Sequence, residues 1–368
     1  MNVETHRHTF EDLCSWLSPL KAVSNETLER LQIEDERLSL IALSNHYWLT
    51  GQLTHSIRAK GGWKCLDVQT SDYLVELANH YQTYVSRVKQ EAETVTVYFP
   101  DNQLDCILLK GVVSLLDNTG QQMGTRFMSD IDLLVDETEW QTAISLLKQK
   151  GYQESLGKDD VVAVGLHQSP PLRHPGSPCC IEIHRWPLKR SVLPLLPVER
   201  CWSEKIEVSP RVYRLSANDE VILCISHSEI VDRSYEDRLI DLKQLNNLAF
   251  LILHHGDRLD WSIISGRFEQ CGYAQILNAT LFNLYQLFGV STPITRPQDP
   301  VLKEHYLECI SRYCSGKYNS KLDKLRDVLK GYSKTNILDL YGAERSFPVT
   351  KGRLEHLKRH VRLLFPKR

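Results

Sequence analysis

The sequence predicts an α+β protein: a compact α/β unit set between a helical N-terminal arm and a helical C-terminal domain. Three observations carry this. Through the first hundred or so residues, apolar side chains recur at three- and four-residue steps, the period of a helix. From Asp105 the pattern changes to short β-type runs punctuated by glycine and turn residues. From Ser216, long apolar runs at helical spacing return. The expected divisions are a helical region at 1–104, an α/β core at 105–210 and a helical domain with a basic tail at 211–368.

In the arm, Leu74, Leu77, Ala78, Tyr81, Val85 and Val88 form one continuous face of a helix over Asp72–Ala92, with Ser71 as its N-cap. The segment from Glu34 to Ala59 behaves similarly, and its NHYWL reads as packing rather than an aromatic platform. In the core, CILLK is a strand, Gly111 follows, and VVSLL begins a short helix that DNTG ends. Ile131, Leu133, Leu134 and Val135 make a buried strand. Asp136 with Glu139 resembles a capping box for a helix carrying Trp140, Ala143, Ile144 and Leu147, which Gly151 terminates. VVAVGLH at 161–167 and CCIEIHRW at 179–186 are further strand-like runs. A connector with Pro194, Pro197 and Pro210 leads to Ser216, which opens the helical region.

With 368 residues, 42% hydrophobic and 24% charged, the chain can bury two or three cores. Lys plus Arg (44) nearly balance Asp plus Glu (46), so no global attraction to polyanions is expected. One local patch stands out: KGRLEHLKRHVRLLFPKR at 351–368 holds seven Lys/Arg against Glu355. Its first reading is a solvated last helix; a surface for RNA, other nucleic acid or lipid is the second. No apolar run has the length of a signal peptide core or a membrane span, which places the expectation in the cytoplasm. Ten scattered cysteines without a CxxC pair read as buried small apolar residues.

The chemistry concentrates in RFMSDIDLLV at 126–135. Side chains alternate along a strand, so Asp130 and Asp132 share a face while Ile131 enters the core. Two carboxylates this close raise each other's pKa. A divalent cation removes that cost, and Mg²⁺, which takes its other ligands from substrate phosphates, suits such a pair. In CCIEIHRW, Glu182 shares one face with Cys180 and His184, and it is the natural third ligand. Three carboxylates of this kind would serve in-line displacement at a phosphate. Lys110 and Gly111 fall at a strand-to-helix junction, where free backbone N–H groups and an ammonium favour an anionic phosphate. Arg126 is either a second phosphate clamp or an orienting partner for an acid.

The runs ILLKG (107–111), RFMSDIDLLV (126–135) and LHQSPPLRHPG (166–176), leading into IEIHRWPL (181–188), together resemble the family of uncharacterised nucleotidyltransferases. That family belongs to the DNA-polymerase-β-like nucleotidyltransferase superfamily. More loosely, YEDRLIDLKQL and LDWSIISGRFEQCGY resemble its downstream helical pattern. The resemblance implies a polymerase-β-like core, with Asp130 and Asp132 as the metal-binding pair and Glu182 as the third carboxylate. It implies Mg²⁺ or Mn²⁺, and ATP or another NTP as substrate. Lys110 and Gly111 stand where better-known members carry a Gly-Ser phosphate turn, so triphosphate handling is not simply transferred. Arg126, Ser129 and His184 complete the expected nucleotide-binding set. A Gly/Asn/Gln-rich loop at 117–125 would lie over the nucleotide or be disordered. His167 and His184 match motif histidines, as acceptor-positioning groups or as structural ones, whereas His227 and Asp241 read as packing residues.

A zinc site from His174, Cys179, Cys180 and His184 fails because adjacent strand cysteines point to opposite faces. No P-loop, GxSxG elbow or GxGxxG turn occurs. Two readings remain: an enzyme transferring a nucleoside monophosphate to a small-molecule, protein or RNA hydroxyl, and an inert nucleotide- or partner-binding regulatory protein on the same fold.

Overall fold

The computed structural model describes residues 3–116, 126–154, 166–314, 332–342 and 348–364. Loop 117–125 and most of the strand-like run at 161–167 lie outside them. The arm comprises α1 (Val3–Leu17), α2 (Asn25–Gln32), α3 (Glu34–His46), α4 (Thr50–Ala59) and α5 (Val68–Asp101). The core elements are β1 (Cys106–Leu109), α6 (Gly111–Leu116), β2 (Asp130–Leu134), α7 (Trp140–Gln149), β3 (Gln153–Glu154), β4 (Leu172–Arg173) and β5 (Cys180–His184). Then come α8 (Val198–Ser203), β6 (Ile206–Ser209) and β7 (Val212–Arg214). The rest is helical: α9 (Ala217–Ile225), α10 (Leu242–His255), α11 (Trp261–Gln270), α12 (Ala274–Phe288), α13 (Pro300–Cys314), α14 (Lys334–Tyr341) and α15 (Val349–Leu364).

The strands form one mixed seven-stranded sheet in the order β3-β4-β5-β2-β1-β7-β6. β2 runs parallel to β5 and antiparallel to β1, so β1, β2 and β5 form its middle. Alternation then sorts their side chains. Leu108, Ile131, Leu133, Ile181 and Ile183 pack under Val88, Ala92, Val95 and Phe99 of α5 and Ala143 and Leu147 of α7. On the opposite face Ile107, Leu109 and Leu134 join a second core, built from the arm and the C-terminal helices. The arm is fastened to α12 by polar bonds. Ser18 Oγ donates to the Phe288 carbonyl (2.7 Å) and Lys21 Nζ to that of Gln286 (2.6 Å). Lys60 Nζ gathers the carbonyls of Ser15, Ser18 and Lys21, and burial lowers its pKa to about 8.

Several local details differ from expectation. Helix α5 starts earlier, capped by Asp67 rather than Ser71, and its 34 residues extend about 50 Å. The expected continuous 34–59 segment breaks at Trp48, whose φ of 57° is left-handed. No side chain caps α7; Asp136 instead accepts from Thr138 within its own turn. Ser216 does cap α9, accepting from Asp219 N, and Gly151 turns with φ 94°. Among the described residues no disulfide joins the ten cysteines, and no helix is long and apolar enough to cross a membrane. The basic tail runs through α15, and its side chains from residue 357 onward lie outside those described.

Candidate active site

Parallel pairing of β2 with β5 sets Asp130 opposite Cys180, Asp132 opposite Glu182 and Leu134 opposite His184. In parallel strands, partners in register project from the same face. The two expected carboxylates from one strand and the third from another therefore meet on one side of the sheet. Asp132, Glu182 and His184 offer ligand atoms within 4.8 Å of one another, the one such group among the described residues. Asp130 lies outside that trio, half-buried, yet close enough to raise the pKa of Glu182. Cys179 and Cys180 do not join it.

The acids differ sharply in surroundings. Asp132 is almost fully buried, and its Oδ1 accepts from Lys110 Nζ (2.9 Å) and His184 Nε2 (2.8 Å). Burial alone would push this carboxyl up; the ammonium and the imidazole outweigh it and hold the group well below the usual carboxylate range. Asp130 has no such partner. Its carboxyl is raised, by burial first and then by Asp132. Glu182 is pushed up to about 7 by burial, Asp132 and Asp130, with the Gln168 amide donating to its Oε2. Burial lowers the His184 pKa despite Asp132, so the ring is neutral and donates through Nε2. Its Nδ1 has no hydrogen-bond partner, and its ring meets His167 edge-on at 5.6 Å.

Lys110 turns the chain from β1 into α6 with a left-handed φ of 55°. Gly111 beside it lets two side chains pack close: a Cβ there would meet Met128 Sδ and crowd the Arg126 guanidinium, and both would have to shift. Arg126 in turn has a buried Nε with no partner. Ser129 is exposed and hydrogen-bonds Asp130. Lys110 and Arg126 line a cavity of about 160 Å³ together with Leu223, Gln244, Asn247 and Phe250 of α9 and α10. Asn247, 3% exposed, leaves its Oδ1 without a partner there. Arg214 and Glu220 also line it, but they satisfy each other at 3.0 Å, and His255 completes the pair at 2.8 Å.

A family described as uncharacterised nucleotidyltransferases matches residues 34–289. The chain belongs to this family. No curated protein and no solved structure matches it. In this family member, several residues around the acids are invisible to motif reading. Gln168 follows a motif histidine yet is the one that reaches Glu182. Tyr84 of α5 donates to the carbonyls of Met128 (2.8 Å) and Pro178 (3.3 Å), stapling the entries to β2 and β5. Phe127, just before the acidic strand, is stacked between Tyr84 and the half-exposed Trp48, with Lys243 5.8 Å from its ring. The only signal for the cavity wall was a pair of polar residues inside LKQLNNLAFLIL. His227 Nδ1 lies 3.0 Å from Asp232 and the residue lines the cavity, while Asp241 caps α10 by accepting from Gln244 N.

Proposed function

We propose that this chain is a metal-dependent nucleotidyltransferase on a polymerase-β-like core, moving a nucleoside monophosphate from an NTP to a hydroxyl acceptor and releasing pyrophosphate. One observation carries the reading: the register that puts Asp132 beside Glu182, with Asp130 on the same face, in a nucleotidyltransferase family. The residues fit a divalent cation. Both protein donors on Asp132 use Oδ1, and Asp130 and Glu182 are carboxylates that burial leaves short of positive charge. Such hard oxygen ligands suit Mg²⁺ or Mn²⁺. Bound there, the ion would neutralise the converging acids and steady the charge that develops on the leaving pyrophosphate.

The chain's own residues do the rest. Lys110 and Arg126, which share the cavity rim, bind phosphate oxygens. Apolar Leu223 and Phe250, with the unmatched Asn247 Oδ1, receive the flat, hydrogen-bonding base. The acceptor oxygen attacks the α-phosphorus, the bond to pyrophosphate breaks, and the hydroxyl proton passes to a carboxylate of the acidic face, with Glu182 the one set beside Asp132 by register. His184 holds Asp132 in its orientation from below.

A specific observation favours the inert alternative: Lys110 and His184 already compensate Asp132 without any ion. Incubation with Mg²⁺ or Mn²⁺ and each α-labelled NTP separates the two. Labelling of a small-molecule, protein or RNA fraction of cell extract supports the enzyme and names its acceptor. Nucleotide binding that ignores the metal, with no label transferred, supports the inert module.

A further inference from the structure

Resting on that nucleotidyltransferase reading, we propose that Lys110 is a built-in counterion at Asp132 that a divalent cation must displace, and that its transfer to the nucleotide's phosphates couples metal binding to nucleotide binding. Two donors share one oxygen of Asp132, but they differ in freedom. The His184 side chain is 1% exposed, on the same sheet face as Asp132. The Lys110 side chain is 21% exposed and borders the cavity.

A doubly charged ion on Asp132 and Glu182 repels an ammonium held on the other oxygen of the same carboxylate, and that repulsion is strong where water is scarce. The repulsion drives the ammonium off, and by itself that strands a partly buried charge. The cavity then presents two cationic groups, the freed ammonium and Arg126, whose buried Nε has no hydrogen-bond partner. A triphosphate in the cavity answers both. Conversely, nucleotide without metal leaves Lys110 divided between Asp132 and the phosphates. Each ligand therefore removes a cost of binding the other, and the coupling is reciprocal. Lysine is chemically suited to such a transfer. Its ammonium is a compact charge on a flexible four-carbon stem, here anchored by a left-handed backbone at the β1–α6 corner. His184 remains behind and keeps the carboxylate aimed after the lysine departs.

Calorimetry on the full chain tests this with Mn²⁺ and an NTP analogue whose α,β-bridge resists cleavage. Wild type is expected to bind Mn²⁺ weakly alone and roughly tenfold or more tighter with saturating analogue, and Mn²⁺ to tighten the analogue equally. Lys110→Met, which removes the competing charge, is expected to bind Mn²⁺ alone roughly tenfold tighter than wild type and to lose a similar factor of coupling. Lys110→Arg keeps a cation and tracks wild type. Mn²⁺ affinity in Lys110→Met equal to or weaker than wild type overturns the proposal. If that variant does not fold, wild type decides alone: coupling below about threefold overturns it. Independent binding of both ligands overturns this proposal and leaves the nucleotidyltransferase reading standing, whereas failure of both to bind removes that reading with it.

Discussion

The two faces of strands β2 and β5 put opposite demands on adjacent residues. One face, with Ile131, Leu133, Ile181 and Ile183, is fully buried under α5 and α7 and contains no polar side chain of these strands. The other holds Asp130, Asp132, Glu182 and His184, and it meets the helical regions through a polar cluster and a cavity. The apolar face fixes where the strands lie; the acidic face uses that placement. Charges that repel are kept together because the packing behind them leaves the backbone no alternative position.

The largest effect should come from the acidic face. Asp130→Ala is expected to lower label transfer by about 10³-fold while its melting temperature holds or rises, because a carboxylate that burial and Asp132 disfavour has been removed. Asp132→Ala should lose transfer equally but behave oppositely in a melt. It strands Lys110, and breaking a buried pair costs about 3–5 kcal/mol in a denaturant titration. Equal melting of the two variants would erase the distinction drawn between these acids.

On the apolar face, Ile183→Ala should cost about 2–5 kcal/mol of stability with nucleotide affinity per folded molecule unchanged. A selective loss of affinity would show that the faces are less independent than their packing indicates. The smallest effect concerns an acid buried on the helical side without a cation, Glu229, which burial and then Asp241 push up to about 8. The folded chain keeps that proton where the unfolded chain has released it, so the associated stability is present below pH 4.5 and is lost as pH rises toward 8. Glu229→Gln should therefore be the more stable protein at pH 8, by on the order of 1–2 kcal/mol, and equal to wild type below pH 4.5. Thermal melts across that range would check it.

Much of the fold was legible because its signals are local. The shift from helical to alternating periodicity at Asp105 marks the start of β1, and Ser216 and Gly151 end up in the roles their chemistry favours. Caps chosen by pattern alone did less well: Ser71 lies inside α5 because Asp67, four residues earlier, offers a stronger acceptor and also pairs with Arg37. NHYWL reads as packing, and Trp48 does pack on Phe127, but at the cost of a left-handed residue that splits the segment. Gln168 and Tyr84 had no signal, because each acts on a partner brought near by another element, and Asn247 had only its polarity inside an apolar run.

From the chain alone follow the alternation that sets Asp130 and Asp132 on one face and Ile131 on the other, and the third carboxylate on a second apolar strand. Tertiary structure alone decided that β2 and β5 run parallel in the register that sets Asp132 against Glu182, and that Lys110 and His184 fill one oxygen of Asp132. The physical reason is range. Alternation belongs to a single strand and is dictated by backbone geometry, whereas register and counter-charge arise only when distant segments are packed against one another, where burial sets how strongly each charge is felt.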